Sequence, residues 1–405
     1  MPRAIVLGSG MVGSVMAGDL ARDGEYEVTL VDRSAEALER AMGRVKRMGG
    51  RKKDVKTVVA DLSDAAGTSA LVEGYDVALG AVSSVIGYST LEAVIEAGTA
   101  YADISFMPQD FLELDGLAKK RGVTAVVDCG VAPGMSHVLA GYATTLLDET
   151  ERIEIYVGGL PRERRWPFEY KAGFSPADVI EEYTRPARLV ERGEVVIREA
   201  LSEPELIDLP GVGTLEAFNT DGLRSLVGTL DVPWMKEKTL RYPGHIELMR
   251  VFRETGLFSQ APIEAGGVVV RPLDVTSALM FPKWSYEEGE ADLTVMRVMA
   301  EGVAGGVRTR LTWDMLDFLD AKTGATSMSR TTAFPCVIVG KMLAEGKWKK
   351  KGVHPPEVLG REKGVAEKVL RAHEERGVVY EVVVEEVEGE ATERRSDGAT
   401  KGRKR

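Results

Sequence analysis

Six residues near the start, Gly8-Ser9-Gly10-Met11-Val12-Gly13, have the spacing of a phosphate cradle. They follow the apolar run Arg3–Leu7 and open the amphipathic stretch Val12–Asp23. In such a strand–turn–helix unit the glycines give a tight turn, let a pyrophosphate approach the backbone, and let the helix pack on the strand. Gly8, Gly10 and Gly13 hold those three places, and Met11 and Val12 begin the helix whose free N–H groups favour phosphate. An acidic residue about twenty positions further on accepts from the adenosine ribose hydroxyls. Asp32, after the run Tyr26–Val31, is in that position. A carboxylate there repels a 2′-phosphate, so NAD is the expected dinucleotide, with NADP the alternative because Arg33 follows. Ligands of such sheets bind beyond the carboxyl ends of the strands. Asp61 and Leu62 are therefore placed near adenine, and Ser83 near the nicotinamide ribose.

Those residues need a sheet to hold them. Short β-branched runs at Arg3–Leu7, Tyr26–Val31, Val55–Val59, Val77–Leu79, Ala100–Ile104 and Val123–Val127 alternate with helical stretches such as Ala35–Met48 and Gln109–Arg121. This rhythm predicts an α/β fold, a Rossmann-type doubly wound parallel sheet over residues 1–145. From 151 to 325 the rhythm changes. Ile153–Val157, Thr239–Tyr242, Met296–Ala300 and Arg308–Trp313 read as strands, and Ser175–Tyr183 as a helix with Ser175 as N-cap and Pro176 at its first position. A second, mixed α+β domain is expected there. Thr331–Leu343 reads as a helix despite Pro335, so 326–380 is expected to return and pack on the first domain. The segment 385–405 is charge-dense and poor in apolar residues, which predicts disorder.

The chain has 405 residues and a net charge of −11, which argues against nucleic acid or an anionic membrane surface as partners. Two cysteines, Cys129 and Cys336, exclude a disulfide scaffold and fit a reducing compartment. The four histidines are scattered, so no metal site is expected. No apolar run reaches the roughly 18 residues of a membrane span, and a cytoplasmic location is the expectation.

Further segments follow in order: Asp128-Cys129-Gly130-Val131-Ala132-Pro133-Gly134-Met135, Tyr156-Val157-Gly158-Gly159-Leu160-Pro161, Leu215-Glu216-Ala217-Phe218, Thr239-Leu240-Arg241-Tyr242-Pro243-Gly244-His245, Arg330-Thr331-Thr332-Ala333 and Gly352-Val353-His354-Pro355-Pro356-Glu357. With the glycine loop they span nearly the whole chain apart from its tail. They resemble the saccharopine dehydrogenase family, and within it most closely the lysine 6-dehydrogenases. The resemblance implies a small amino-acid substrate, a homodimer through the second domain, and oxidation at a carbon–nitrogen bond with hydride passing to the dinucleotide. In lysine 6-dehydrogenases the ε-amine is lost and the resulting semialdehyde cyclises. The stretch Thr220–Leu226, with Arg224, is more similar to the broader family. That leaves open a saccharopine-type enzyme that condenses an amine with an aldehyde or keto acid. A dinucleotide-binding sensor without turnover is a third reading, because fold alone does not fix function.

The implied reaction needs a neutral amine, hence a base, and an anchor for the α-carboxylate. Asp128 ends the last Rossmann strand and is the candidate to orient the amine or relay its proton. His245 is the candidate for acid–base work near neutral pH. Arg224 and Arg241 are the candidates for bidentate carboxylate binding, with His137 as a further substrate contact. Gly130 and Pro133, beside Gly134, are expected to let backbone pass close to the nicotinamide. Cys129 reads as a small buried hydrophobe, Arg330 as a cap or ion-pair residue, and His354 and His373 as surface residues.

Overall fold

The apolar runs at the start of the chain form strands β1 (Arg3–Leu7), β2 (Glu27–Asp32), β3 (Val55–Val59), β4 (Val77–Gly80), β5 (Ala100–Asp103) and β6 (Thr124–Val126). Between them run helices α1 (Met11–Arg22), α2 (Ala35–Arg47), α3 (Ala65–Val72), α4 (Ser84–Glu96), α5 (Asp115–Arg121) and α6 (Met135–Leu146). The structure is a computed structural model describing residues 1–387 except 23, 52, 53 and 288. Of the charged segment expected to be disordered, residues 385 and 386 instead end a strand, and the part from 388 onward lies outside the described residues.

Ala4, Ile5, Val6 and Leu7 of β1 are all fully buried, as a parallel strand covered by helices on both faces requires. Local signals set the helix ends. Ser34 caps α2 by accepting from the Ala37 N–H, and Arg44, Lys46 and Arg47 sit in its last turn, where the helix dipole favours cations.

The second part of the chain supplies β7 (Glu149–Pro161), α7 (Pro176–Thr184), β8 (Ala187–Glu191), β9 (Glu194–Arg198), β10 (Glu205–Leu209), β11 (Gly213–Asn219), α8 (Leu226–Thr229), β12 (Trp234–Arg241), α9 (His245–Glu254), β13 (Ile263–Ala265), β14 (Val268–Val270), α10 (Pro272–Trp284), β15 (Asp292–Ala304) and β16 (Val307–Phe318). Ser175 caps α7 toward Asp178, and Pro176 occupies its first position, as the sequence indicates. The chain closes with α11 (Ser327–Ala344), β17 (Gly352–His354), α12 (Pro356–Gly360), α13 (Val365–Glu374) and β18 (Tyr380–Glu386).

Among the described residues, one sheet is parallel and seven-stranded, in the order β17-β6-β5-β4-β1-β2-β3. A second is mixed and follows β10-β11-β12-β7-β15-β16-β18, with β8 on β12 and β9 on β8, and β13 and β14 form a separate two-stranded sheet. This is the Rossmann-type sheet plus mixed domain that the sequence predicts.

The last segment holds more than a helical return. α11 packs on α1, β4 and β5. Its first turn is fixed by Asp292 of β15, which accepts from the Ser327 and Met328 N–H groups at 2.7 and 2.9 Å. β17 then joins β6 as a parallel strand, and β18 pairs with β16 on the other sheet. The histidines of this segment are not surface residues. His354 packs edge-on to Trp348, 5.0 Å between ring centres. His373 is fully buried, its Nδ1 donates to the Val369 carbonyl, and β18 lays Tyr380 against its ring. Burial pushes its pKa down to about 4. Among the described residues no helix is long and apolar enough to cross a membrane.

Candidate active site

A cavity of about 430 Å³ lies between the carboxyl ends of the parallel strands and the face of the second sheet. Its first half is built from turns that follow β1, β4 and β6. Gly8 has φ +101°, and a side-chain carbon there would sit 2.3 Å from the Ala81 carbonyl oxygen. One on Gly13 would sit 2.0 Å from the Gly8 oxygen. One on Gly10 would meet no protein atom within 4 Å, so it would project into open space at the cavity wall. Gly8 and Gly13 thus hold the turn and the packing that the motif demands, and Gly10 leaves its side of the cavity open. Met11 and Val12 line the same wall at the start of α1, where the first N–H groups have no helical partner.

Asp32 is placed by its neighbours. One carboxylate oxygen accepts from both the N–H and the Oγ of Ser9 at 2.8 Å, the other from the Ser34 N–H at 3.0 Å. Burial opposes its charge, but these bonds and nearby Arg33 outweigh it and hold the carboxyl below its usual range. Ser83, Gly130 and Pro133 line the cavity. Gly134, at φ +138°, closes that turn so tightly that any side chain would strike Gly130 backbone. This cradle fits a dinucleotide. Asp61 and Leu62 do not reach the cavity. Asp61 is exposed and capped by Ser63, while Leu62 is buried in the core with Ile5, Leu7 and Val31.

The second half differs more from the sequence reading. Asp128 and Arg224 are spent on each other. The Arg224 Nε and Nη2 donate to the two Asp128 oxygens at 2.9 and 3.1 Å, and Nη1 donates to the Met107 carbonyl at 2.9 Å. Both are buried and neither lines the cavity, so neither offers a free group to a ligand. His137 is fully buried in α6, with Ser136 Oγ at Nδ1 and the Leu223 carbonyl at Nε2. Burial drives its pKa down to about 3. His245 is also away from the cavity, among Tyr170, Tyr183 and Trp284. Its Nδ1 donates to the Phe168 carbonyl at 2.8 Å, which leaves Nε2 to accept from Tyr183 Oη at 2.9 Å. Burial, with Arg241 nearby, holds its pKa near 3, so it stays neutral and cannot exchange a proton with a ligand.

Arg241 does reach the cavity, 2 % exposed. It donates to Tyr183 Oη at 3.2 Å and Glu182 at 2.6 Å, and lies over the Tyr170 ring at 4.3 Å. The Tyr183–His245–Phe168 chain therefore positions Arg241.

Groups that the sequence reading missed complete the wall. Asp178, Glu181, Glu182, Asp221 and Glu237 line it, against Arg185 and Arg241. Ser84 donates to Asp178 at 2.9 Å, joining α4 to α7 across the cavity. Arg185 lies over the Phe106 ring at 5.5 Å and pairs with Glu181 at 3.3 Å. Glu237, Thr239 and Arg241 alternate along β12, so they share one face of the strand. Among the described residues no group of three or more His, Cys, Asp or Glu side chains could hold a metal ion.

Comparison with known proteins bears on this arrangement. The saccharopine dehydrogenase NADP binding domain matches residues 4–126, and the saccharopine dehydrogenase C-terminal domain matches residues 130–378. The chain belongs to the saccharopine dehydrogenase family. Carboxyaminopropylagmatine dehydrogenase of Synechocystis sp. is 25% identical over 89% of this chain and 93% of its own length. Saccharopine dehydrogenase [NADP(+), L-glutamate-forming] of Schizosaccharomyces pombe is 22% identical over 88% of this chain and 94% of its own. The solved L-Glu-forming saccharopine dehydrogenase of Saccharomyces cerevisiae, in its apo form, superposes with a TM-score of 0.77 at 17% identity, covering 95% of this chain and 100% of that one, which shows the shared fold. The protein is an NAD(P)-dependent dehydrogenase of this family, and the glycine cradle lies within the residues that match its NADP binding domain.

Proposed function

We propose that the protein oxidises a carbon–nitrogen bond of an amino acid with a second, distal amine, by lysine 6-dehydrogenase-like loss of the ε-amine. The excess of carboxyl over guanidinium groups on the cavity wall carries this reading. A lysine-like substrate has two amines and one carboxylate, and this wall complements that balance. A substrate with three carboxylates, such as saccharopine, would meet like charge. Bound in the cradle, an oxidised nicotinamide ring supplies the hydride acceptor. Arg185 replaces Arg224 as the carboxylate anchor in this reading, because Arg224 is engaged by Asp128. Arg185→Ala is expected to raise KM about 30-fold, near 2 kcal/mol for a charge-assisted bond, with little change in kcat. An unchanged KM would remove Arg185 from that role.

NAD is favoured over NADP in this reading, because Asp32 is held ionised where a 2′-phosphate would lie. Asp32→Asn is expected to raise the NADP-to-NAD ratio of kcat/KM by about tenfold, since it removes like-charge repulsion. Initial rates with both dinucleotides check this.

The condensing reading has its own support. A full-length relative carries a name that couples a carboxyl group to agmatine, also a basic chain with few carboxylates. The deciding experiment measures dinucleotide reduction with L-lysine, L-ornithine, diaminopimelate and saccharopine, and oxidation with diamines plus an aldehyde. Turnover of L-lysine alone supports the proposal. Turnover only of saccharopine, or only in the condensing direction, overturns it.

A further inference from the structure

We infer that Glu237 is the group that takes the proton from the substrate ammonium, an inference that rests on the amine-oxidising reading above. Asp128 and His245 are closed to that task by their partners, so the proton must go to another cavity group. Among the cavity carboxyls, Asp221 is held bidentately by Arg188 at 2.8 and 2.9 Å, Glu182 by Arg241 and Glu181 by Arg185. Glu237 and Asp178 have no ion pair among the described residues. Asp178 is half-buried and accepts from Ser84. Glu237 is 3 % exposed, at the wall near Thr239 and Arg241.

Its surroundings are shaped around a carboxyl group. One oxygen accepts from Thr220 Oγ1 at 2.5 Å and from the Gly222 N–H at 3.1 Å. Thr220 in turn contacts Thr239 Oγ1 at 2.9 Å. A side-chain carbon on Gly222 would lie 2.3 Å from Glu237 Cδ, so only glycine lets that loop approach. The charged groups facing it are Glu182 of α7, bound to Arg241, and Asp221 after β11, bound to Arg188. Burial, with those two carboxylates, pushes its pKa up to about 8 despite the bonds from Thr220 and Gly222.

In the carboxylate form Glu237 accepts H⁺ from the substrate N–H bond, and the freed lone pair on nitrogen is what allows hydride to leave the adjacent carbon. The charge balance holds: ammonium and carboxylate become amine and carboxylic acid. Proton transfer of this kind is worth about 10²–10⁴ in rate.

The test uses the full chain. Difference infrared spectra of the cofactor-free protein against Glu237→Gln are expected to show a protonated carboxyl band that titrates away near pH 8. Calorimetric binding of L-lysine to cofactor-free protein near pH 8, repeated in buffers of different ionisation enthalpy, is expected to release part of a proton to the buffer, because the ammonium and Glu237 together keep only one, an effect absent in Glu237→Gln. In turnover, kcat/KM rises through about pH 8, and Glu237→Gln loses that limb and at least 100-fold in kcat. Thr220→Val removes a bond that favours the charged form, so it moves the inflection to higher pH and tests the idea should Glu237→Gln fold poorly. A wild-type profile in either variant, or no titrating band, overturns the assignment of Glu237. Normal titration of the band in a protein that turns over no amine overturns the functional reading instead.

Discussion

Gly10→Ala is expected to leave the melting temperature of the protein unchanged while lowering dinucleotide affinity at least 100-fold, whereas Gly13→Ala lowers both. The difference lies in what each new methyl group meets. At Gly10 no protein atom is within 4 Å, so the fold has nothing to adjust and the methyl intrudes only on the bound pyrophosphate. At Gly13 the methyl would sit 2.0 Å from the Gly8 oxygen and 3.2 Å from Ala81 Cβ, so α1 must move off β1. Overpacking of this sort costs about 1–3 kcal/mol in stability. A 100-fold loss of affinity corresponds to about 2.7 kcal/mol. Thermal melts and fluorescence titrations with NADH on both variants check it. Equal melting losses at the two positions would mean that Gly10 has a structural role which its empty surroundings do not show.

The cofactor half of the site was legible in the sequence because its chemistry is local. A turn, a helix start and an acid at the next strand end lie within the first 32 residues, and such a motif binds phosphate mostly through backbone groups. The substrate half is non-local. Glu237 sits between Lys236 and Lys238 and reads as one more surface charge. Extending the strand seen at Thr239–Tyr242 back by two residues would have put Glu237 on the face of Thr239 and Arg241. His245, four residues after Arg241, follows a glycine turn, but it begins α9 and its ring is drawn among Tyr170, Tyr183 and Trp284 from three other segments. β17 is three residues long, too short for any periodicity to mark, and exists because β6 offers it an open edge. Asp128 and Arg224 lie 96 residues apart, and no spacing rule joins such a pair.

That pair gives the second large effect. Asp128 has φ +58° and Arg224 φ +46°, left-handed conformations that cost a non-glycine residue on the order of 1 kcal/mol each. The surroundings hold both residues there so that a two-pronged bond can form, with Arg224 also stacked on Phe106 at 4.5 Å. It ties the end of the parallel sheet to the loop after β11. Arg224→Met leaves a buried carboxylate with no partner, and breaking a buried pair from one side costs about 3–5 kcal/mol. The double variant Asp128→Ala/Arg224→Met removes both charges and is expected to be more stable than Arg224→Met alone. Two residues in contact should be non-additive in this way. Denaturant unfolding of the two single variants and the double checks the sign of that coupling. Additive losses would mean that the two groups do not depend on each other. In that case a raised KM for the amine substrate in Asp128→Ala, with stability intact, would return Asp128 to the substrate.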